Sequence, residues 1–247
     1  MSTAAAGTTD LKAGASPPAR IAGLCYLLAF LFNGGLLLVR GGLVISGDAA
    51  AFASNIQEHA SRWSLGFTCY LILIACHIAV TALFYELFKP VNRSVSLLAA
   101  FFSLMACAAA TFSSLLYSAP LVVLQEAPHL GAFNAEQLQA MALLLDKLNL
   151  GASNIASVFF GFYFPLIGYL VFRSAFLPRI LGVLMMFGGV SLLPLLYPPL
   201  GSSLRPYRAL ALLGEVSLTL WLLARGVNIE RWKEQAEGQS AMPIAGK

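Results

Sequence analysis

An all-α polytopic transmembrane bundle of six helices, with short amphipathic helices on its outer face, is the fold class this sequence predicts. Three observations carry that expectation. Only 11% of the residues are charged and 59% are hydrophobic, where an ordinary soluble domain carries about 25% Asp, Glu, Lys and Arg. Six apolar runs are each long enough to cross a hydrocarbon layer, which takes about 20 helical residues. The basic residues gather at the ends of those runs, on one side more than the other.

The runs fall near Ile21–Val39, Trp63–Leu87, Val95–Leu124, Ala152–Phe172, Ile180–Tyr197 and Tyr207–Ala224. Four contain no charged residue; the second has Glu86 at its margin and the sixth holds Glu215 well inside. They divide the chain into a tail over 1–19 expected to be disordered, a six-span domain over 20–228 and a C-terminal tail over 229–247. The first sixteen residues, MSTAAAGTTDLKAGAS, are small and polar and lack the basic start of a secretory signal. The side holding the N-terminus gathers Lys12, Arg20, Lys89, Arg93, Arg173, Arg179, Arg225, Arg231, Lys233 and Lys247. The other side has Arg40, Arg62, Lys147, Arg205 and Arg208. Cytoplasmic loops carry the excess of Lys and Arg, so both termini are expected in the cytoplasm.

The outer loops carry helix signals. Asp48 can accept from the first free N–H groups of a helix that follows it. Asn134 with Gln137 three residues later makes a capping box, and Leu138, Met141, Leu145 and Leu148 then recur at helical spacing. These patterns predict amphipathic helices on the outer face, although 134–148 reads equally well as an extension of the next span. Gly188-Gly189 with Pro194, Pro198 and Pro199 predicts that the fifth span frays at its outer end.

Several function classes are excluded. A net charge of +4, spread along span borders, suits lipid headgroups rather than nucleic acid. The four cysteines, Cys25, Cys69, Cys76 and Cys107, lie in apolar runs without a CxxC pair and read as small hydrophobes. The histidines are His59, His77 and His129; two belong to outer loops, so neither a zinc set nor a pair of haem ligands can be assembled, and no cofactor is expected. No GxSxG or HExxH motif occurs, and no catalytic residue is assigned.

Two groups remain. His77 and Glu215 each lie ten residues from a span border, about 15 Å deep at helical rise. An acid near the midplane costs on the order of 2.5 kcal/mol or more, so Glu215 should face the interior and find a partner, for which His77 is the natural candidate. Asn33 and Tyr163 fall within about two turns of that layer and complete a candidate midplane polar site. As a functional centre it would be a proton relay, an ion site or the polar end of a ligand pocket; as a structural one it would be glue between helices.

Three strings carry a resemblance: Tyr85–Asn92 (YELFKPVN), Gly168–Gly182 (GYLVFRSAFLPRILG) and Gly214–Leu223 (GEVSLTLWLL). Together, in this order, they resemble a bacterial integral membrane family catalogued as domain of unknown function 4386, over roughly Arg20 to Asn228. The resemblance implies a six-span protein of the bacterial cytoplasmic membrane and carries over no site residues. The expected partners are the lipid bilayer and a small hydrophobic or ionic ligand; oligomeric state is left open. The leading functional expectation is a non-enzymatic, transporter-like or ligand-binding bundle. Its alternatives are an intramembrane enzyme acting on a lipid or quinone, and a structural subunit of a membrane complex.

Overall fold

The computed structural model describes residues 19–240 except 46, 127–130 and 204–208. The expected N-terminal tail therefore lies, but for Ala19, outside the described residues. The elements in chain order are α1 (Ala19–Arg40), α2 (Ala49–Glu58), α3 (Ala60–Phe88), α4 (Arg93–Gln125), α5 (Ala135–Arg173), α6 (Arg179–Val190), a short 3-10 turn (Leu193–Leu196), α7 (Pro198–Ser203), α8 (Ala209–Ala224) and α9 (Ile229–Ser240). Four helices, α1, α3, α4 and α5, are long and apolar enough to cross a membrane. The stretch Arg179–Leu196 is a fifth, and α8 contributes a sixth when taken with α9, from which it is bent by 105°. The chain is a multi-pass integral membrane protein.

Local chemistry sets the boundaries. Asn92 accepts from the Val95 amide at 3.0 Å to start α4, and Asp48 accepts from the Ala51 amide at 2.9 Å to start α2. Asn134 and Gln137 form the complete reciprocal box that opens α5. Gly42 takes φ +83 just after α1, a left-handed conformation that a side chain would strain. The fifth span frays as its glycines and prolines predict: α6 stops at Val190 and the chain continues as the 3-10 turn.

Of the two readings of 134–148, the structure takes the extension of the next span. Residues 134–148 are not a separate helix lying on the outer face but the first turns of α5, which runs unbroken for 39 residues. At about 1.5 Å per residue it is about 58 Å long, well beyond a hydrocarbon layer of about 30 Å. Its buried face is also displaced from the leucine stripe. Leu138, Ala142, Asp146 and Asn149 are buried, whereas Leu148 is exposed. The reason is α2, which packs against this projecting part of α5 and covers it with Phe52, Ala53 and Ile56.

The spans form a ring in chain order. α1 packs on α3, α3 on α4, α4 on α5, α5 on α6 and α6 on α8, and α8 closes on α1. Glycines permit the tightest of these approaches: a Cβ on Gly168 of α5 would lie 2.5 Å from the Gly182 carbonyl of α6. At the end where α1 begins and α8 finishes, the ring is filled by Tyr26, Phe84, Phe88, Tyr163, Ile167 and their neighbours. α9 lies against this end, where the Trp232 indole donates to the Leu87 carbonyl at 3.0 Å. The outward faces carry exposed apolar side chains such as Leu31, Phe101, Phe112 and Ile180, the surface that lipid covers. Toward the opposite end a second cluster around Phe52, Trp63, Tyr70 and Tyr117 fills one side of the ring and leaves the rest open.

Candidate functional site

The unfilled part is a cavity of about 420 Å³, within the range of small-molecule sites. α1 supplies one wall through Tyr26, Ala29, Phe30, Asn33, Leu36, Leu37 and Arg40. Their spacing is that of one continuous helix face. α3 adds Tyr70, Leu73, Ile74 and His77, and α5 faces α1 with Asn149, Ser153, Ala156, Ser157 and Phe160. Most of this lining is apolar; Tyr26, His77 and Glu215 stand at one end, Arg40, Tyr70, Tyr117, Asn149 and Ser153 at the other, and Asn33 and Ser157 between them. Asn33, Leu37, Leu150 and Leu212 line the cavity and are also exposed, so its mouth lies among α1, α5 and α8. Three leucines border that mouth.

The floor is built around Glu215. The Tyr26 hydroxyl donates to Glu215 Oε1 at 3.0 Å, joining α1 to α8. The edge of the His77 ring meets the Tyr26 ring with centroids 5.7 Å apart, and Phe160 closes on His77 at 5.0 Å. Glu215 does not bond His77 directly, as its depth had suggested; Tyr26 takes the carboxylate and stands between the two. No described residue hydrogen-bonds the His77 ring nitrogens or the side chain of Asn33, and all three of His77, Asn33 and Glu215 line the cavity. Tyr163 is placed differently. It is 1% exposed, packs against Phe160 and Phe164 beneath the cavity, and does not line it. Its hydroxyl has no hydrogen-bond partner among the described residues. Of the expected quartet, then, the fold brings His77, Asn33 and Glu215 to one cavity and leaves Tyr163 below it.

The other end holds a cluster that sequence reasoning missed. Arg40 donates to Asp146 Oδ1 at 2.8 Å and to Asn149 Oδ1 at 3.0 Å. Its guanidinium also lies 5.7 Å and 5.5 Å from the ring centres of Trp63 and Tyr117. Those two rings stack at 4.3 Å. They exchange hydrogen bonds as well, the Trp63 indole to the Tyr117 carbonyl and the Tyr117 hydroxyl to the Trp63 carbonyl. Asn149 is held in turn by Ser113, to whose carbonyl and hydroxyl its amide donates at 2.7 and 2.9 Å. In sequence, Arg40 reads as one more border cation. The available signal was the spacing of Asp146 and Asn149, three residues apart on a helix otherwise rich in leucine.

No group of three or more His, Cys, Asp or Glu side chains that could hold a metal ion occurs among the described residues. The family model for a domain of unknown function, DUF4386, matches residues 21–226. The chain belongs to the DUF4386 family. No curated protein and no solved structure matches it. In this DUF4386 member the matched region takes in both ends of the cavity, from Tyr26 and Arg40 on α1 to Glu215 on α8.

Proposed function

We propose that this protein is a transporter-like or ligand-binding bundle of the bacterial cytoplasmic membrane, with both termini in the cytoplasm. Its ligand is a small, largely apolar molecule that enters from the lipid and meets the midplane polar groups Glu215, His77 and Asn33. One observation carries the reading: a cavity of about 420 Å³ with apolar walls and a hydrogen-bonding floor whose groups are only partly engaged by protein. Glu215 has one carboxylate oxygen beyond its bond to Tyr26, and His77 can donate or accept. A purely structural polar layer would instead satisfy its groups within a filled centre.

Native mass spectrometry of the protein purified in a mild detergent tests this. The expected result is a co-purified small molecule retained by the wild type, with at least tenfold lower occupancy in His77→Leu, a loss of about 1.4 kcal/mol of binding. An empty wild-type protein from several detergents and from nanodiscs would overturn the reading. The lateral mouth favours one second reading, an intramembrane enzyme acting on a lipid or quinone with His77 and Glu215 as acid and base. Recovery of the bound molecule chemically altered after incubation selects it.

A further inference from the structure

The cavity has a second polar end, and the hydrogen-bond inventory there specifies a chemistry. Arg40, Asn149, Tyr117, Tyr70 and Ser153 are its polar lining. Asn149 is held by protein: its carbonyl oxygen accepts from Arg40 and its amide donates to Ser113. The Tyr117 hydroxyl is committed to the Trp63 carbonyl. Arg40 uses one N–H toward Asp146 and one toward Asn149, of the five that a guanidinium carries. Among the described residues Arg40 is thus the one cation lining this end, with N–H groups beyond its two protein bonds and no lone pair, so it can meet a ligand only as a donor. The charge of Arg40 itself is already paired, because Asp146, with only 8% of its side chain exposed, bonds it. A ligand carboxylate would add a net negative charge to a partly buried site, whereas an uncharged oxygen would not.

We infer that Arg40 is the head-group anchor of this cavity and selects a neutral oxygen acceptor, an ester-type carbonyl, on a single-chain membrane amphiphile. The inference rests on the binding reading above and names its ligand class. The position of Arg40 supports it. Arg40 stands fourteen residues from Tyr26 on the same face of α1, about 21 Å at helical rise, and the α1 wall between them is Ala29, Phe30, Leu36 and Leu37 with one polar residue, Asn33. The leucines of the mouth admit a chain from the bilayer, and the rigid Trp63–Tyr117 stack fixes the guanidinium that meets its head.

The test is photocrosslinking of purified protein in nanodiscs with three diazirine probes: a long-chain methyl ester, the matching free acid, and a water-soluble short-chain ester. At a pH where the acid is ionised, the wild type is expected to capture the long-chain ester about tenfold better than the acid, a difference of about 1.4 kcal/mol. Asp146→Asn, nearly isosteric, leaves the Arg40 charge uncompensated and should shift the preference toward the acid. Because either single change can unsettle a buried pair, the double variant Arg40→Met with Asp146→Leu removes both charges together, which folded proteins tolerate better. It should unfold near the wild-type temperature and show no more than twofold discrimination.

A wild type that captures all long-chain probes equally, or a double variant that keeps the tenfold preference, would overturn the role of Arg40 while leaving the binding reading intact. Equal capture of the short-chain ester would overturn the membrane amphiphile as ligand. A wild type that captures no probe while retaining a co-purified molecule would reject the ligand class, and one that does neither rejects the binding reading itself.

Discussion

At the floor of the cavity a single hydroxyl does what an imidazole was expected to do. Tyr26 donates to Glu215 Oε1 at 3.0 Å, with His77 against the tyrosine ring. A buried partner left unmatched costs about 1–3 kcal/mol, whereas removing both partners is cheaper. Glu215→Leu strands the Tyr26 hydroxyl, and Tyr26→Phe strands the carboxylate, so each is expected to destabilise by about 1–3 kcal/mol. The double variant should be less destabilised than the sum of the two. Glu215→Gln keeps a carbonyl oxygen to accept from Tyr26 and should stay close to wild type. Thermal unfolding of the four variants in one detergent measures this; additive losses would show that the bond carries no coupling.

At the scale of the element, helix contact is decided by which glycines face a neighbour. Gly168 and Gly182 bring α5 and α6 together so closely that a Cβ on either would meet the other's backbone carbonyl at 2.5 Å. Gly34 on α1 has nothing within 4 Å of where a Cβ would stand. Gly168→Val is expected to force the two helices apart, at a cost of about 1–3 kcal/mol or more. Gly34→Ala should instead stabilise α1 by up to about 1 kcal/mol, since alanine is the better helix former. Unfolding midpoints of the two variants should thus move in opposite directions; a shared direction would mean that local space does not govern these glycines. The same distinction explains α5. Its capping box was legible as Asn134 and Gln137, but its buried face was set by α2 packing over it.

For the whole molecule, the ring closes with α8 on α1, and the described ends of the chain lie at one end of the bundle. Gly23 near the start of α1 sits against Leu222 and Leu223 near the end of α8. With ten basic residues against five favouring that side, both termini are expected in the cytoplasm. A cysteine placed at Ser54, exposed on α2, should react with an impermeant thiol reagent in intact cells. One placed at Ser240 should react only after the cells are permeabilised. The reverse pattern would invert the topology.

By itself the sequence determined what depends on local composition. Apolar runs of membrane length, caps at Asp48 and Asn134, and a fifth span broken by Gly188-Gly189 and Pro194 are all written in neighbouring residues, because backbone hydrogen bonding in lipid leaves little alternative to helix. Rise per residue also converts position along a span into distance, and His77, Asn33 and Glu215, singled out that way, line one cavity. Only the tertiary structure decided partners. Rotation of α1 about its axis put Tyr26, rather than His77, on Glu215. Asp146 and Arg40, a hundred residues apart, became a pair because α1 and α5 face each other across the space that the ring leaves open. Helical periodicity tells which residues share a face; it does not tell what that face will meet.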